Sequence, residues 1–271
     1  AESWETQPGT LLINKVYLGE KYYARLEQKN WCLPNAELNA WKNASVVEGP
    51  SGRLTSQIQP PIRITKILQP IGIRETGKDT FIVDMGQNFA GVARIKARAP
   101  AGAKINLRYG EDLLADGRLN YFTTVAGQIK EQWHLSGGPG APATAWQMDE
   151  YIAKGAGVEV WSPRFTFHAF RFVEITGWQG KPTLNEIEGL RMNSDLESNG
   201  TFACSNDMFN KLHEAIKWTF LCNVLIVQSD CTGRKKMDYC AAIGVTSGSY
   251  AYNFNMAIFY KNNVSDCANV T

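Results

Sequence analysis

Three runs in which apolar and polar residues alternate along most of their length constrain this chain more than any other feature. They are Val92-Ala93-Arg94-Ile95-Lys96, Lys104-Ile105-Asn106-Leu107-Arg108-Tyr109 and Gln128-Ile129-Lys130-Glu131-Gln132-Trp133-His134-Leu135. Successive side chains of a strand point to opposite faces, so this period buries one face of a sheet and wets the other. Asp116-Gly117 and Gly137-Gly138-Pro139-Gly140 supply turn signals between the runs. Residues 61–195 are therefore expected to form antiparallel strands in a sandwich or jelly roll.

The flanking regions read differently. Residues 1–60 are mixed, carry Trp4, Trp31 and Trp41, and end in Gly49-Pro50-Ser51-Gly52 and then Pro60-Pro61. After Asp195 the period lengthens. Ser205 or Asn206 can cap a helix that carries Met208, Phe209, Leu212, Ala215, Ile216 and Thr219 at i, i+3, i+4 spacing. A second helix is expected over roughly 249–262, with Tyr250, Phe254, Ala257, Ile258 and Tyr260. Two helices cannot bury their apolar faces alone, so they pack on the sandwich or belong to a larger helical domain. Either way, the region from about residue 200 onward is expected to be the less protected part of the fold.

The segment from Pro163 to Phe172 continues the strand pattern, with Phe165, Phe167 and Ala169 on one face and Arg164, Thr166, His168 and Phe170 on the other. Aromatic strands fill sandwich cores more often than they form sugar-stacking platforms, so a core role is expected. His168 has no Ser, Cys or acidic partner nearby in sequence, and a structural role is expected for it too.

Composition excludes several functions. Lys+Arg 28 against Asp+Glu 26 leaves a formal charge of +2, without basic blocks, which argues against nucleic acid or an anionic membrane as partner. No apolar run of about 18 residues is present to span a membrane. Ala1 opens on no signal peptide, although a secreted precursor could already have lost one. An extracellular or periplasmic location is preferred over a cytoplasmic one. The cysteines, Cys32, Cys204, Cys222, Cys231, Cys240 and Cys267, show no CxxC spacing, so no metal site is expected. Buried or idle thiols are the plain expectation, with one disulfide among Cys222, Cys231 and Cys240 as the alternative. N-x-[ST] triplets occur at Asn43, Asn199, Asn263 and Asn269.

One polar stretch between the helices can carry chemistry: Gln228-Ser229-Asp230-Cys231-Thr232-Gly233-Arg234-Lys235-Lys236-Met237-Asp238-Tyr239. A carboxylate accepts and a guanidinium donates, so Asp230 and Arg234 four residues apart could orient the hydroxyls of a sugar. A solvated loop ion pair is the commoner use of such spacing.

A series of motifs in order narrows this further. Gly19-Glu20-Lys21-Tyr22-Tyr23-Ala24-Arg25, Pro60-Pro61-Ile62-Arg63 and Asp84-Met85-Gly86-Gln87-Asn88-Phe89-Ala90-Gly91 come first. Leu107-Arg108-Tyr109-Gly110-Glu111, the Trp161–Phe172 segment and Phe202-Ala203-Cys204-Ser205-Asn206 follow. Through these the chain resembles the inverting α-L-rhamnosidases of bacteria and fungi along almost its whole length. The resemblance implies a mainly β fold: the tail of an N-terminal jelly roll (1–60), a concanavalin-like sandwich (61–195), and the start of an incomplete (α/α)₆ toroid (196–271).

It also implies a glycosidase without cofactor, acting on a rhamnose-containing glycoside or polysaccharide, with Asp230 and Arg234 binding hydroxyls and Tyr239 as a stacking wall. Inverting chemistry needs a carboxylic acid and a carboxylate about 6.5–9.5 Å apart, with a water between. Asp230, Cys231, Arg234 and Tyr252-Asn253-Phe254-Asn255-Met256 match the family pattern. Thr232 stands in place of its proline, and the positions able to hold the acid are Lys235 and Lys236. Hydrolysis by this chain alone is therefore not expected. The rest of a toroid in cis, or a dimer partner, would have to complete the site. The alternative is a non-catalytic, carbohydrate-associated relative.

Overall fold

The alternating runs form strands with the expected facing. In a computed structural model that describes residues 3–36, 38, 40–49, 51–125, 146–234, 236 and 240–269, Ala93 and Ile95 are fully buried, while Arg94 and Lys96 reach Glu188 on the adjacent strand at 2.6 and 3.4 Å. Ile105, Leu107 and Tyr109 are likewise buried. The third run, Gln128–Leu135, and the Gly137–Gly140 turn lie outside the described residues.

The strands are β1 (Glu5–Thr6), β2 (Leu11–Lys15), β3 (Gly19–Tyr23), β4 (Lys42–Asn43), β5 (Ile62–Leu68), β6 (Gly72–Gly77), β7 (Thr80–Arg98) and β8 (Lys104–Gly110). A short helix α1 (Phe122–Val125) precedes β9 (Met148–Ile152), β10 (Val158–Trp161), β11 (His168–Thr176) and β12 (Ile187–Ser194). Three helices follow: α2 (Asp207–Cys222), α3 (Cys240–Asn253) and α4 (Ala257–Asn269). Apart from the β1–β4 pair, the strands join one curled ten-stranded sheet in the order β2-β3-β9-β8-β11-β7-β12-β5, with β6 and β10 also on β7. All pairings in it are antiparallel except β3 with β9. The protein is thus mainly β, with helices entering at the end.

β7 turns this sheet into two layers. Its residues 80–84 lie between β6 and β11, while 89–91 still pair with β11, 91–95 with β12 and 95–98 with β10. The bend falls where the β11 register jumps from Asp84↔Phe172 to Phe89↔Phe170. There Gly86 has φ +75° and its amide donates to Asp84 Oδ1 at 2.7 Å. Arg171 holds the same carboxylate with Nε and Nη2, both at 2.9 Å. That pairing, countered in part by burial, keeps the Asp84 carboxyl below its ordinary pKa. The interior is filled by Phe81, Val83, Phe89, Ile95, Leu107, Tyr109, Phe170 and Ile175. The two motifs around Asp84 and Arg171 thus specify a bend.

Residues 1–60 do not stand apart, because β3 pairs with β9 inside the main sheet. Gly19 makes that junction possible. A Cβ there would sit 2.3 Å from the Met148 carbonyl oxygen, and φ is +100°. Gly19→Ala is expected to cost about 3 kcal/mol, since both the contact and the backbone conformation must be relieved. Urea unfolding checks this, and a loss below about 1 kcal/mol would contradict it.

Several expectations need correction. The aromatic segment is not strand throughout: β11 begins at His168, Phe165 is 61% exposed, and the buried residues are Pro163, Thr166, His168, Ala169, Phe170 and Phe172. Pro163 and the Glu20 carboxylate, which accepts the Arg164 and Phe165 amides at 2.9 and 3.2 Å, hold the preceding residues in a turn. The single helix over 249–262 is instead two, broken at Phe254-Asn255-Met256. Phe254 bridges Ser198 and the Asn255 amide donates to the Glu197 carbonyl, so the chain there pairs across rather than along a helix. Cys222 and Cys231 are free thiols, as are Cys32 and Cys204, so none of the pairings among Cys222, Cys231 and Cys240 forms; Cys267 is disulfide-bonded. Asn263 is fully buried and donates to the Phe259 carbonyl, which removes it as a glycan acceptor in this fold.

α2 follows its pattern: the Asn206 side chain caps it by accepting the Met208 amide at 3.0 Å. Its predicted apolar stripe is nevertheless exposed at Met208, Phe209, Leu212 and Ile216. Only its C-terminal end, through Trp218 and Cys222, packs on the sandwich core. The helices build a small core of their own from Val224, Tyr250, Phe254, Met256 and Phe259.

Candidate functional site

The seam between sandwich and helices encloses a cavity of about 260 Å³. Gln87, Asn88 and Phe89 from the β7 bend, Glu111 after β8 and Ala169 in β11 form its sandwich wall. Trp218, Thr219, Cys222 and Asn223 line the helical wall, and Asp230 to Gly233 close it. Two links fix the walls: Trp218 Nε1 donates to the Asn88 carbonyl at 2.7 Å, and Asn88 Nδ2 to Glu111 Oε1 at 3.0 Å. The indole is also faced by the cations of Arg191 and Lys66, at 4.6 and 5.0 Å from ring centroids. The lining therefore combines an indole, carboxamides and the carboxylates of Glu111 and Asp230, groups suited to hydroxyl-rich ligands. Burial pushes the Cys222 thiol up to about 11, so it is no nucleophile near neutrality.

The predicted site residues do not all converge here. Asp230 lines the cavity. Arg234 instead extends toward α1, with Nε 2.9 Å from the Thr123 carbonyl and Nη2 3.4 Å from that of Phe122. Lys235 and Tyr239 lie outside the described residues. Lys236 is buried and points away from the cavity: Nζ donates to the Val16 carbonyl at 2.7 Å and also to the Phe167 carbonyl. Burial brings its pKa down to about 7, against the opposing pull of Asp149. Among the described residues, no group of three or more His, Cys, Asp or Glu side chains is placed to hold a metal ion.

Behind the cavity lies a second polar cluster, sealed from solvent. Asp149 Oδ1 accepts the Glu20 amide at 2.8 Å, and Oδ2 accepts the Tyr109 hydroxyl at 2.6 Å. His168 Nε2 is 3.0 Å from the same Oδ2, and its ring stacks on Tyr109 with centroids 4.0 Å apart. Burial lowers the His168 pKa and raises that of Tyr109 well above the ordinary value, so both rest neutral. Gln147 Nε2 donates to the Gly233 carbonyl at 2.6 Å and also to that of Thr124, joining this cluster to the Asp230 loop. His168 thus has the structural role expected of it, with an acidic partner that sequence distance concealed.

Asp149 and Gln147 carried no signal in the sequence. Glu111 ends the Leu107-Arg108-Tyr109-Gly110-Glu111 motif. Its signal was the Leu107–Glu111 run, whose buried strand places the glutamate at the cavity.

The curled, mainly antiparallel sheet thus shares a cavity with the helices that follow it. Family profiles match accordingly: the α-L-rhamnosidase N-terminal domain over residues 1–66, the bacterial α-L-rhamnosidase concanavalin-like domain over 74–193, and the bacterial α-L-rhamnosidase 6 hairpin glycosidase domain over 197–270. The chain belongs to the bacterial α-L-rhamnosidase family.

An α-L-rhamnosidase of Formosa agariphila is 31% identical over 265 residues, covering 98% of this chain and 26% of the relative. One of Streptomyces avermitilis is 31% identical, covering 94% and 23%. The structure of α-L-rhamnosidase from Dictyoglumus thermophilum matches with a TM-score of 0.83 at 39% identity, over 96% of this chain and 28% of that one. That of the Streptomyces avermitilis enzyme complexed with L-rhamnose gives 0.82 at 30%, over 96% and 24%. The chain spans about a quarter of the length of the curated relatives it matches.

Proposed function

We propose that this chain supplies the rhamnose-facing wall of an α-L-rhamnosidase-type site and does not itself hydrolyse glycosides. The observation that carries the reading is the placement of Asp230 on a cavity between sandwich and helices, in a chain of this family. Its proposed parts are 1–60, 61–195 and 196–271, close to the limits of the three profile matches. Asp230 accepts from rhamnose hydroxyls, Arg234 donates through N–H groups beyond those engaged by α1 carbonyls, and Tyr239 forms a stacking wall. The ligand is a rhamnose-containing glycoside or polysaccharide.

Absence of turnover follows from the residues at the acid positions. Lys235 and Lys236 bring no carboxyl group, and the Lys236 amine faces the sandwich interior rather than a leaving oxygen. This favours the non-catalytic reading for the chain on its own.

Two measurements test the proposal. L-rhamnose binding by NMR titration is expected in the millimolar range, weakened about tenfold or more by Asp230→Asn, which loses a charge-assisted acceptor. Release of an aryl group from an aryl α-L-rhamnoside is expected to stay at background. Turnover at an ordinary enzymatic rate, or binding indifferent to Asp230, would overturn it.

A further inference from the structure

Lys236 adopts a conformation that a lysine on a solvated loop has no reason to take. Its φ is +50°, in the left-handed region that costs a non-glycine residue energy, and only 9% of it is exposed. The strain is sustained by what the side chain reaches. Val16 lies in the turn between β2 and β3, and Phe167 immediately precedes β11, so one amine ties the Asp230 loop to two separate segments of the sheet. The Phe167 ring lies 4.7 Å from the same nitrogen.

We propose that Lys236 is the positioning residue of the Asp230–Arg234 loop, its amine bridging the Val16 and Phe167 carbonyls so that the loop closes the cavity against the sandwich. The consequence for sugar binding rests on the function proposed above; the latch itself does not.

The donor count supports this. A neutral amine has two N–H groups, matched by the two carbonyls. The ammonium adds a third donor, which the face of the Phe167 ring receives, but it must lose its hydration to enter. The facing titratable groups divide: Asp149 on β9 favours the charged form, and His168 on β11 disfavours it once protonated. Glu20 and Tyr109 stand behind Asp149.

Because burial lowers the Lys236 pKa from 10.5 to about 7, the folded state prefers the neutral amine. The latch is therefore tightest above about pH 10.5, loosens as pH falls from there to about 7, and levels off below. Protonation of His168 at still lower pH acts in the same direction.

Hydrogen exchange tests the latch without any sugar. The amides of Ser229, Arg234 and residue 236 accept protection from the Asn223 and Cys231 carbonyls. Corrected for intrinsic exchange, their protection is expected to fall about tenfold from pH 8 to pH 6 in the wild type and to stay flat in Lys236→Met. Equal pH dependence in both proteins overturns the proposal. Should Lys236→Met not fold, titration of the wild-type Lys236 side chain by NMR decides: a midpoint near 7 supports the latch, and one near 10.4 overturns it. If the step in protection appears without any L-rhamnose binding, the latch stands and the sugar reading fails.

Discussion

Asp149→Ala is expected to destabilise the protein by at least about 4 kcal/mol, a large part of the total stability of an ordinary domain. The carboxylate is fully buried and takes three donors at once: the Glu20 amide, the Tyr109 hydroxyl and a His168 ring nitrogen. Removing it leaves each of these without a partner in a region water does not reach, at about 1–3 kcal/mol apiece. Tyr109→Phe removes only one donor and keeps the carboxylate paired, so it is expected to cost no more than about 2 kcal/mol. Urea unfolding of both variants decides. A loss for Asp149→Ala no larger than that for Tyr109→Phe would show that the cluster does not act as a unit.

Backbone amides in the first half of α2 are expected to exchange at least about 100-fold faster than those of β7, β8 and β11, a gap of about 2.7 kcal/mol in opening free energy. No residue of α2 is buried, and Met208 and Leu212 are 64% and 53% exposed. Its apolar packing is at one end only, where Trp218 and Cys222 meet the sandwich and Phe220 meets the small core of the helices. Its first half is held by polar contacts, His213 to Asn253 and Asn210 to the Cys204 backbone. A helix this short gains most of its stability from packing its apolar face, and here that face is unpacked. Native-state exchange followed residue by residue is the measurement. Uniform protection from residue 61 onward would contradict it.

The two expectations meet in what the family motifs do. Gly19-Glu20, Tyr109, Phe167-His168 and Lys236 come from four separate runs, and they converge on one sealed cluster around Asp149. The cavity with Asp230 lies beside it, and Gln147 spans the two. Several motif residues therefore serve to weld the N-terminal hairpin, the sheet and the helical loop. A catalytic role is not needed to explain them. Lys236 turns inward because this site offers two carbonyls that its long amine reaches together.

Local pattern was enough to determine the strands at Val92–Lys96 and Lys104–Tyr109, the Asn206 cap and the mainly β class. Alternation and capping depend only on neighbours a few residues apart. The motif order was likewise sufficient for the family.

Contacts between distant residues lay beyond that reach. The helix over 249–262 breaks because Phe254 and Asn255 pair with residues near 198. His168 finds its acid on another strand, Arg234 spends two donors on α1, and Lys236 turns inward. In each case burial and long-range hydrogen bonding override the local propensity that the chain displays. Sequence alone decided which surfaces this protein could form. Tertiary structure decided which polar groups were shut away from water, and so which of them line the cavity.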